Sequence, residues 1–442
     1  MFRELRHSGA SERIVLSEAC KLSFCTPDDK SYWFGYYNYS PISRDGRRML
    51  AHHANFEGRM PNAEDRCSIG YFDLADGCWH QLATSSAFNW QQGSMLQWLG
   101  PDFNTRVIYN DAERSHFVSR ILSVDSGQLE TVPEAIYAVD PAGSFSITLN
   151  FERCYWMRAY SYATIRNEYW NKRIPKDDGL FRVDLQSGKK EKIIALEVII
   201  KAGGNKDDGA SAHWLEHIQL NPSGTRVAFY HRSGNNTSYI TQLYTADITG
   251  DNLWRHPMQP SEQLSHMNWR NPQEYVVFSG IASHVGAAYS AIEKHRNYSA
   301  RMAVWIYRKC VKPCVSVVKV AAIAGKSYYA LTQDQAGIKE RWGCGRLCCD
   351  GHPGFTQDGR FMLTDTYADE QGFRHLMVFD TQRKKLVPLA KLFSSINNCG
   401  WRADLHPRFS PDEKKVIVDG SHNGRHQMVV LELDWARIRR TE

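Results

Sequence analysis

A short hairpin with a histidine at its mouth recurs four times in this chain, and that repetition limits the fold more than any other feature. In residues 216–232 (EHIQLNPSGTRVAFYHR), alternation from His217 makes a strand, Asn221-Pro222-Ser223-Gly224 makes a tight turn, and Thr225 to Tyr230 makes the return strand. The same order recurs at 265–279 (SHMNWRNPQEYVVFS), 351–365 (GHPGFTQDGRFMLTD) and 405–419 (LHPRFSPDEKKVIVD), so His217, His266, His352 and His406 share one register. Looser copies precede them: YSPISRDGRRMLA at 39–51, GSMLQWLGPDFNTRVIY at 93–109 and IYAVDPAGSFSITL at 136–149. Most are followed by a second hairpin, as in SIGYFDLADGCWHQL at 68–82.

With Tyr39, Gln92, Tyr137 and the four histidines as register marks, seven units follow one another at roughly the ~40 to 50 residues of a propeller blade, two of them widened by insertions. The spacing predicts an all-β chain: a seven-bladed β-propeller of four-stranded antiparallel blades over residues 31–442, with insertions near 155–178 and 281–349. The last blade runs out of chain after its third strand, and an unpaired edge there would be a liability. Residues 1–30 are therefore expected to complete it.

Composition narrows the partners. The 54 Lys and Arg against 48 Asp and Glu leave a net charge of only +6, too small an excess for a nucleic-acid binder, and no base-stacking module or basic tail is visible. No apolar run reaches the ~18 residues that would span a bilayer, and the first residues, MFRELRHSGASERIVLSEACKL, are charged and mixed. Eleven cysteines at irregular spacings read as reduced thiols, so a cytoplasmic protein with neither a nucleic-acid nor a membrane partner is expected.

In a propeller, residues that open the first strand of a blade and those that end its second strand meet at one mouth of the central channel. His217, His266, His352 and His406 open first strands, whereas His52, His53, Arg153 and Arg232 lie near second-strand ends. Four imidazoles around one mouth have the ligand type for a divalent metal ion, zinc or manganese ahead of calcium. Asp350 and Asp404, each two residues before a histidine, are set to orient the rings from behind. Structural hydrogen bonding to a neighbouring blade, or direct catalysis by one of the four, are the competing readings. The basic, aromatic stretch 154–176 (CYWMRAYSYATIRNEYWNKRIPK) reads equally as part of a cleft for an acidic oligosaccharide or as a solvated loop with its rings packed underneath.

The segments FGYYNYSPISRDGRRMLAHH (34–53), NWQQGSMLQWLG (89–100), IYAVDPAGSFSITLNFER (136–153), SHMNW (265–269) and DLHPRFSPDEKKVIVD (404–419) together resemble the seven-bladed propeller polysaccharide lyases, notably ulvan lyases and more distantly oligogalacturonate lyases. The resemblance implies cleavage of a uronate-containing glycan by β-elimination. That chemistry needs a cation to relieve the carboxylate charge, a base for the C5 proton and an acid for the leaving oxygen. It assigns these roles to Arg153, to His52 or His53, and to Tyr137. Arg59, Gln91, Gln92, Arg158, Tyr162 and Arg232 stand beside them as substrate-binding candidates. The chain departs from the pattern at Gln91 and Gln92, where a second histidine is expected, and at Leu264-Ser265, where a cysteine is expected. A non-catalytic scaffold or glycan-binding propeller and a metal-assisted glycan hydrolase are the alternatives.

Overall fold

The computed structural model describes residues 2–4, 13–157, 160, 162–165, 172–204, 211–235, 239–259, 262–281, 327–343, 347–397 and 400–440. Within them the chain forms seven antiparallel sheets arranged as the blades of a propeller. Blades one to six occupy residues 31–85, 97–132, 138–195, 212–255, 262–342 and 354–393, each running outward from its first strand. Blade seven takes three strands from Arg408–Phe409, Lys415–Gly420 and Gln427–Leu433, and its fourth from Cys20–Cys25 near the N-terminus. Ile14–Ser17 pairs with Lys385–Phe393 at the outer edge of blade six, so the N-terminal segment covers the rims of two neighbouring blades. The outer hairpin of blade five, Tyr328–Gln333 and Gly337–Trp342, falls inside the stretch read from sequence as an insertion. None of the described cysteines is in a disulfide, and no described helix is long and apolar enough to cross a membrane.

The turns explain why the hairpins form where they do. In blade four Asn221 accepts the N–H groups of Thr225 and Arg226 on its Oδ1, and Gly224 closes the turn at φ +67°. Gly46, Gly143 and Gly359 hold the same left-handed position in blades one, three and six. Blade seven puts Glu413 there at φ +57°, with Ser410 Oγ accepting the Lys415 N–H to hold the turn. The ring closes around a buried ion pair: Arg408 lies 2.9 Å from Asp419, and Asp419 also accepts the backbone N–H groups of Phe34 and Gly35 at the start of blade one. Gly35 is required at this joint, because a Cβ there would stand 2.6 Å from the Gln92 carbonyl carbon at φ +121°.

Candidate metal centre and active site

His217 and His266 lie within the innermost strands of blades four and five, Ala212–Leu220 and Glu262–Trp269. Both strands bulge there: pairing jumps from Glu216 to Gln219 and from Leu264 to Met267. A bulge re-aims a side chain that the pleat would send elsewhere. His352 and His406 stand two residues before the inner strands Gly354–Phe355 and Arg408–Phe409. His217 and His406 adopt left-handed backbone at φ +56° and +42°, a conformation costing of order 1–3 kcal/mol that persists only where the surroundings impose it.

Three of the rings converge. Ring centroids are 4.1 Å apart for His266 and His352 and 4.4 Å for His352 and His406, whereas His217 stands 6.1 Å from His266. Tyr37 packs against His266, His352 and His406 at 5.9, 5.1 and 6.1 Å, and Tyr36 against His217 and His406 at 5.6 and 6.2 Å. Both tyrosines come from the FGYYNY segment that crosses from blade one.

Potential ligand atoms of His352, Asp404 and His406 all lie within 4.8 Å of one another. The chemistry of the set fits a divalent cation. His352 points Nδ1 at Asp365, 2.9 Å away, leaving a buried Nε2 with no hydrogen-bond partner. His266 turns Nδ1 to Asp350 at 3.1 Å. Carboxylates behind ligand histidines fix tautomer and orientation in this way. Burial drives the His217 pKa down to about 4, the His406 pKa well below its ordinary value and the His266 pKa down, so these rings are neutral near pH 7 and keep lone pairs for a metal. Burial alone would raise the Asp404 pKa, but Arg402 and Arg374, 2.7 and 2.8 Å away, hold it below the usual carboxylate range.

Asp350 therefore sits behind a ring as expected, but Asp404 does not: it lies among the ligand atoms, with two arginines orienting it. His217 falls outside that group. Its Nδ1 is turned to Glu216 Oε2, 3.3 Å away.

The residues drawn from second-strand ends are placed differently from their expected roles. His52 is fully buried, shares a 2.8 Å hydrogen bond with Ser94 Oγ and accepts the Ser94 N–H. It fills the space a side chain on Gly93 would take, 2.2 Å from a Cβ built there. His53 faces the other way, against Tyr32 and Trp79. Arg153 does not face Tyr137. The chain forms a helix at Phe151–Met157 instead of extending the strand. The Arg153 guanidinium turns toward blade four, donating to the carbonyls of Lys172, Arg173 and His213 and lying 3.1 Å from Asp178. Its fork is spent on structure.

Tyr137 is buried in the channel wall, 6.4 Å ring to ring from Tyr36, and its hydroxyl accepts the Gln92 Nε2–H at 2.8 Å. Gln91 donates to the Arg402 carbonyl, so both glutamines brace site residues from behind. Tyr162 is a core residue, stacked on Phe151 and bonded to Asn110. Arg59 is clamped by Asp65 at 2.5 and 2.8 Å, and Arg232 by Glu216 at 3.0 Å. Arg158 lies outside the described residues.

Sequence reasoning missed Arg402 and Tyr160. Arg402 is partly exposed, with its guanidinium 5.8 Å from the Tyr367 ring and 3.4 Å from the Tyr160 hydroxyl. Tyr160 in turn packs edge-on to His217 at 5.7 Å. Arg402 is two residues before Asp404 in the WRADLH run, which was the available signal.

No protein-family model matches the chain, and no curated protein sequence matches it. Among solved structures it is similar to an oligogalacturonate lyase in complex with manganese, with a TM-score of 0.61 at 15% identity over 99% of this chain and 97% of that one. It is similar also to an oligogalacturonate lyase from Vibrio parahaemolyticus, with a TM-score of 0.59 at 14% identity and the same two coverages of 99% and 97%. Neither is an ulvan lyase, the nearer relative expected from sequence. At such identity the likeness establishes the fold, and it does so end to end: this chain is a seven-bladed β-propeller.

Proposed function

We propose that this propeller is a metal-dependent lyase that cleaves a uronate-containing oligosaccharide by β-elimination. The observation that carries the reading is the convergence of His352, Asp404 and His406 on one point, with His266 beside them, in a fold similar to oligogalacturonate lyases. A divalent cation held there would draw charge from the substrate carboxylate and acidify the neighbouring C5 proton. His217, neutral and with its Nδ1 edge turned to the Glu216 carboxylate at 3.3 Å, keeps its Nε2 lone pair and is the base that takes that proton. As the C5–H electrons form the C4–C5 double bond, the C4–O bond breaks and the departing oxygen takes a proton from Tyr137. Burial keeps the Tyr137 pKa well above its ordinary value, so the proton is there to give. Arg402, bound to Asp404 and partly exposed, takes over from Arg153 as the cation that meets substrate charge. An oligosaccharide carrying carboxylates is thus the partner the site favours.

The test is a panel of uronate oligosaccharides, oligogalacturonates first, incubated with protein loaded with manganese, zinc or calcium. The expected product carries a conjugated double bond with new ultraviolet absorbance, and chelation abolishes its formation. Cleavage without that absorbance would replace the lyase with a hydrolase; no cleavage by metal-loaded protein would leave a binding propeller.

A further inference from the structure

The channel has a second mouth, on the face where the first and second strands of each blade turn. A cavity of about 320 Å³ opens there, lined by the turn residues Asp140, Pro141 and Pro222 and, deeper in, by Asn38, Gln97 and Gln219. Tyr37 separates it from the histidines: its ring packs on three of them, while its hydroxyl donates to the Met267 carbonyl at 2.6 Å and accepts from Gln219 Nε2 at 3.2 Å.

Gln219 is 1% exposed and uses its amide hydrogens on Tyr37 and Met267, but its Oε1 has no partner. The buried Oδ1 of Asn38 has none either. Both residues line the cavity, and a ligand with O–H groups would supply the donors their amide oxygens lack once the amides turn toward it. We infer that this mouth is a second binding site, for a neutral polyhydroxylated ligand of the size of a sugar ring.

The charges decide the class. An anion would find Arg44 on the wall but would set its own oxygens against two acceptor oxygens, with no hydrogen to give them. A cation would meet Arg44, whose guanidinium lies over the Phe103 ring at 4.7 Å on the cavity wall. It would find little help from Asp140, whose carboxylate already accepts the N–H groups of Ala142, Ser144 and Phe145. A neutral polyol fits both constraints, and Tyr39 and Trp98 offer rings on which the C–H face of a sugar can lie. The volume falls at the low end of the ~300–1,000 Å³ usual for small-molecule sites. The site is independent of the proposed lyase reaction, whose substrate is an anion and binds at the opposite mouth.

Glucose, galactose, maltose and cellobiose, with galacturonate as the charged control, would be titrated into metal-loaded full-length protein by calorimetry and ligand-observed NMR. At least one neutral sugar is expected to bind, and Asn38→Leu, which removes one orphan oxygen and fills the cavity, should weaken it at least ~10-fold while leaving galacturonate binding unchanged. Asn38→Ala stands in if the larger side chain prevents folding, and a smaller loss in the same direction is expected. Failure of all four neutral sugars to bind would overturn the inference. So would wild-type affinity in the Asn38 variant, or a sugar-soaked crystal with only water on Gln219 Oε1.

Discussion

Blades four to seven and blades one to three use one register for different ends. In the first arc the repeated residue is a histidine, within the bulged inner strand in blades four and five and two residues before it in blades six and seven, and the nearby acids are paired: Asp404 with Arg374 and Arg402, Asp365 with His352, Asp350 with His266. In the second arc the corresponding residues are Tyr39, Gln92 and Tyr137, and they bond to one another. Gln92 donates to the Tyr137 hydroxyl, and Tyr39 donates to the Tyr137 carbonyl. The repeat thus supplies equivalent positions, while the side chains make one arc charged and rich in histidine and the other neutral, with amide and hydroxyl groups. In the proposed reaction that asymmetry would orient a substrate with one carboxylate.

The sharpest way to break the comparison is to remove a ligand from the charged arc. His406→Ala is expected to abolish bound metal by elemental analysis and to reduce turnover of the proposed uronate substrate to background, with the fold retained by circular dichroism. Metal content equal to the wild type would mean that the arc is structural. In the neutral arc, Tyr137→Phe deletes one hydroxyl; turnover should fall by ~10² to 10⁴ with metal content unchanged, as befits a proton donor.

Arg153→Ala probes the same arc where the sequence had placed catalysis. Burial pushes Asp178 up to about 6 even with Arg153 3.1 Å away, and deleting the guanidinium leaves that carboxylate and three carbonyls without their donor. Denaturant unfolding should show a loss of ~3–5 kcal/mol, whereas turnover per folded molecule should hardly change.

The effect smallest at neutral pH is shared by both arcs and grows on acidification. Burial lowers the pKa of His52, His217, His231, His256 and His422 from 6.5 to about 4. Between those values the unfolded chain binds protons that the native state refuses, so stability falls as pH drops from about 6.5 toward 4 and levels off below. Thermal midpoints measured across that range should show the decline. A flat profile would mean that the buried rings accept protons in place.

How much of this was legible can be read from individual residues. The turns at Asn221-Gly224 and Asp140-Gly143 announced the hairpins because their chemistry is local: one side chain and one left-handed glycine suffice. The sequence grouped His217, His266, His352 and His406 because the repeat puts equal registers at one mouth, and the last three rings lie closest together. Arg153 and His52 misled for the complementary reason. Both sit where a strand ends, but whether such a residue faces the channel depends on what the chain does next, and at Arg153 it turns into a helix packed against blade four. Asp404 was seen but assigned the wrong distance, because nothing local distinguishes an acid behind a ligand from an acid among ligands.

The sequence by itself determined the number of blades, their order and the histidine register, since periodicity and turn propensity act over a few residues and repeat along the chain. The tertiary structure alone decided which side chains share a site. The packing of Tyr36 and Tyr37 against the histidines and the pairing of Arg374 with Asp404 depend on different blades meeting at one axis. Burial then set the charge states there, because desolvation is a property of the assembled channel and of no segment within it.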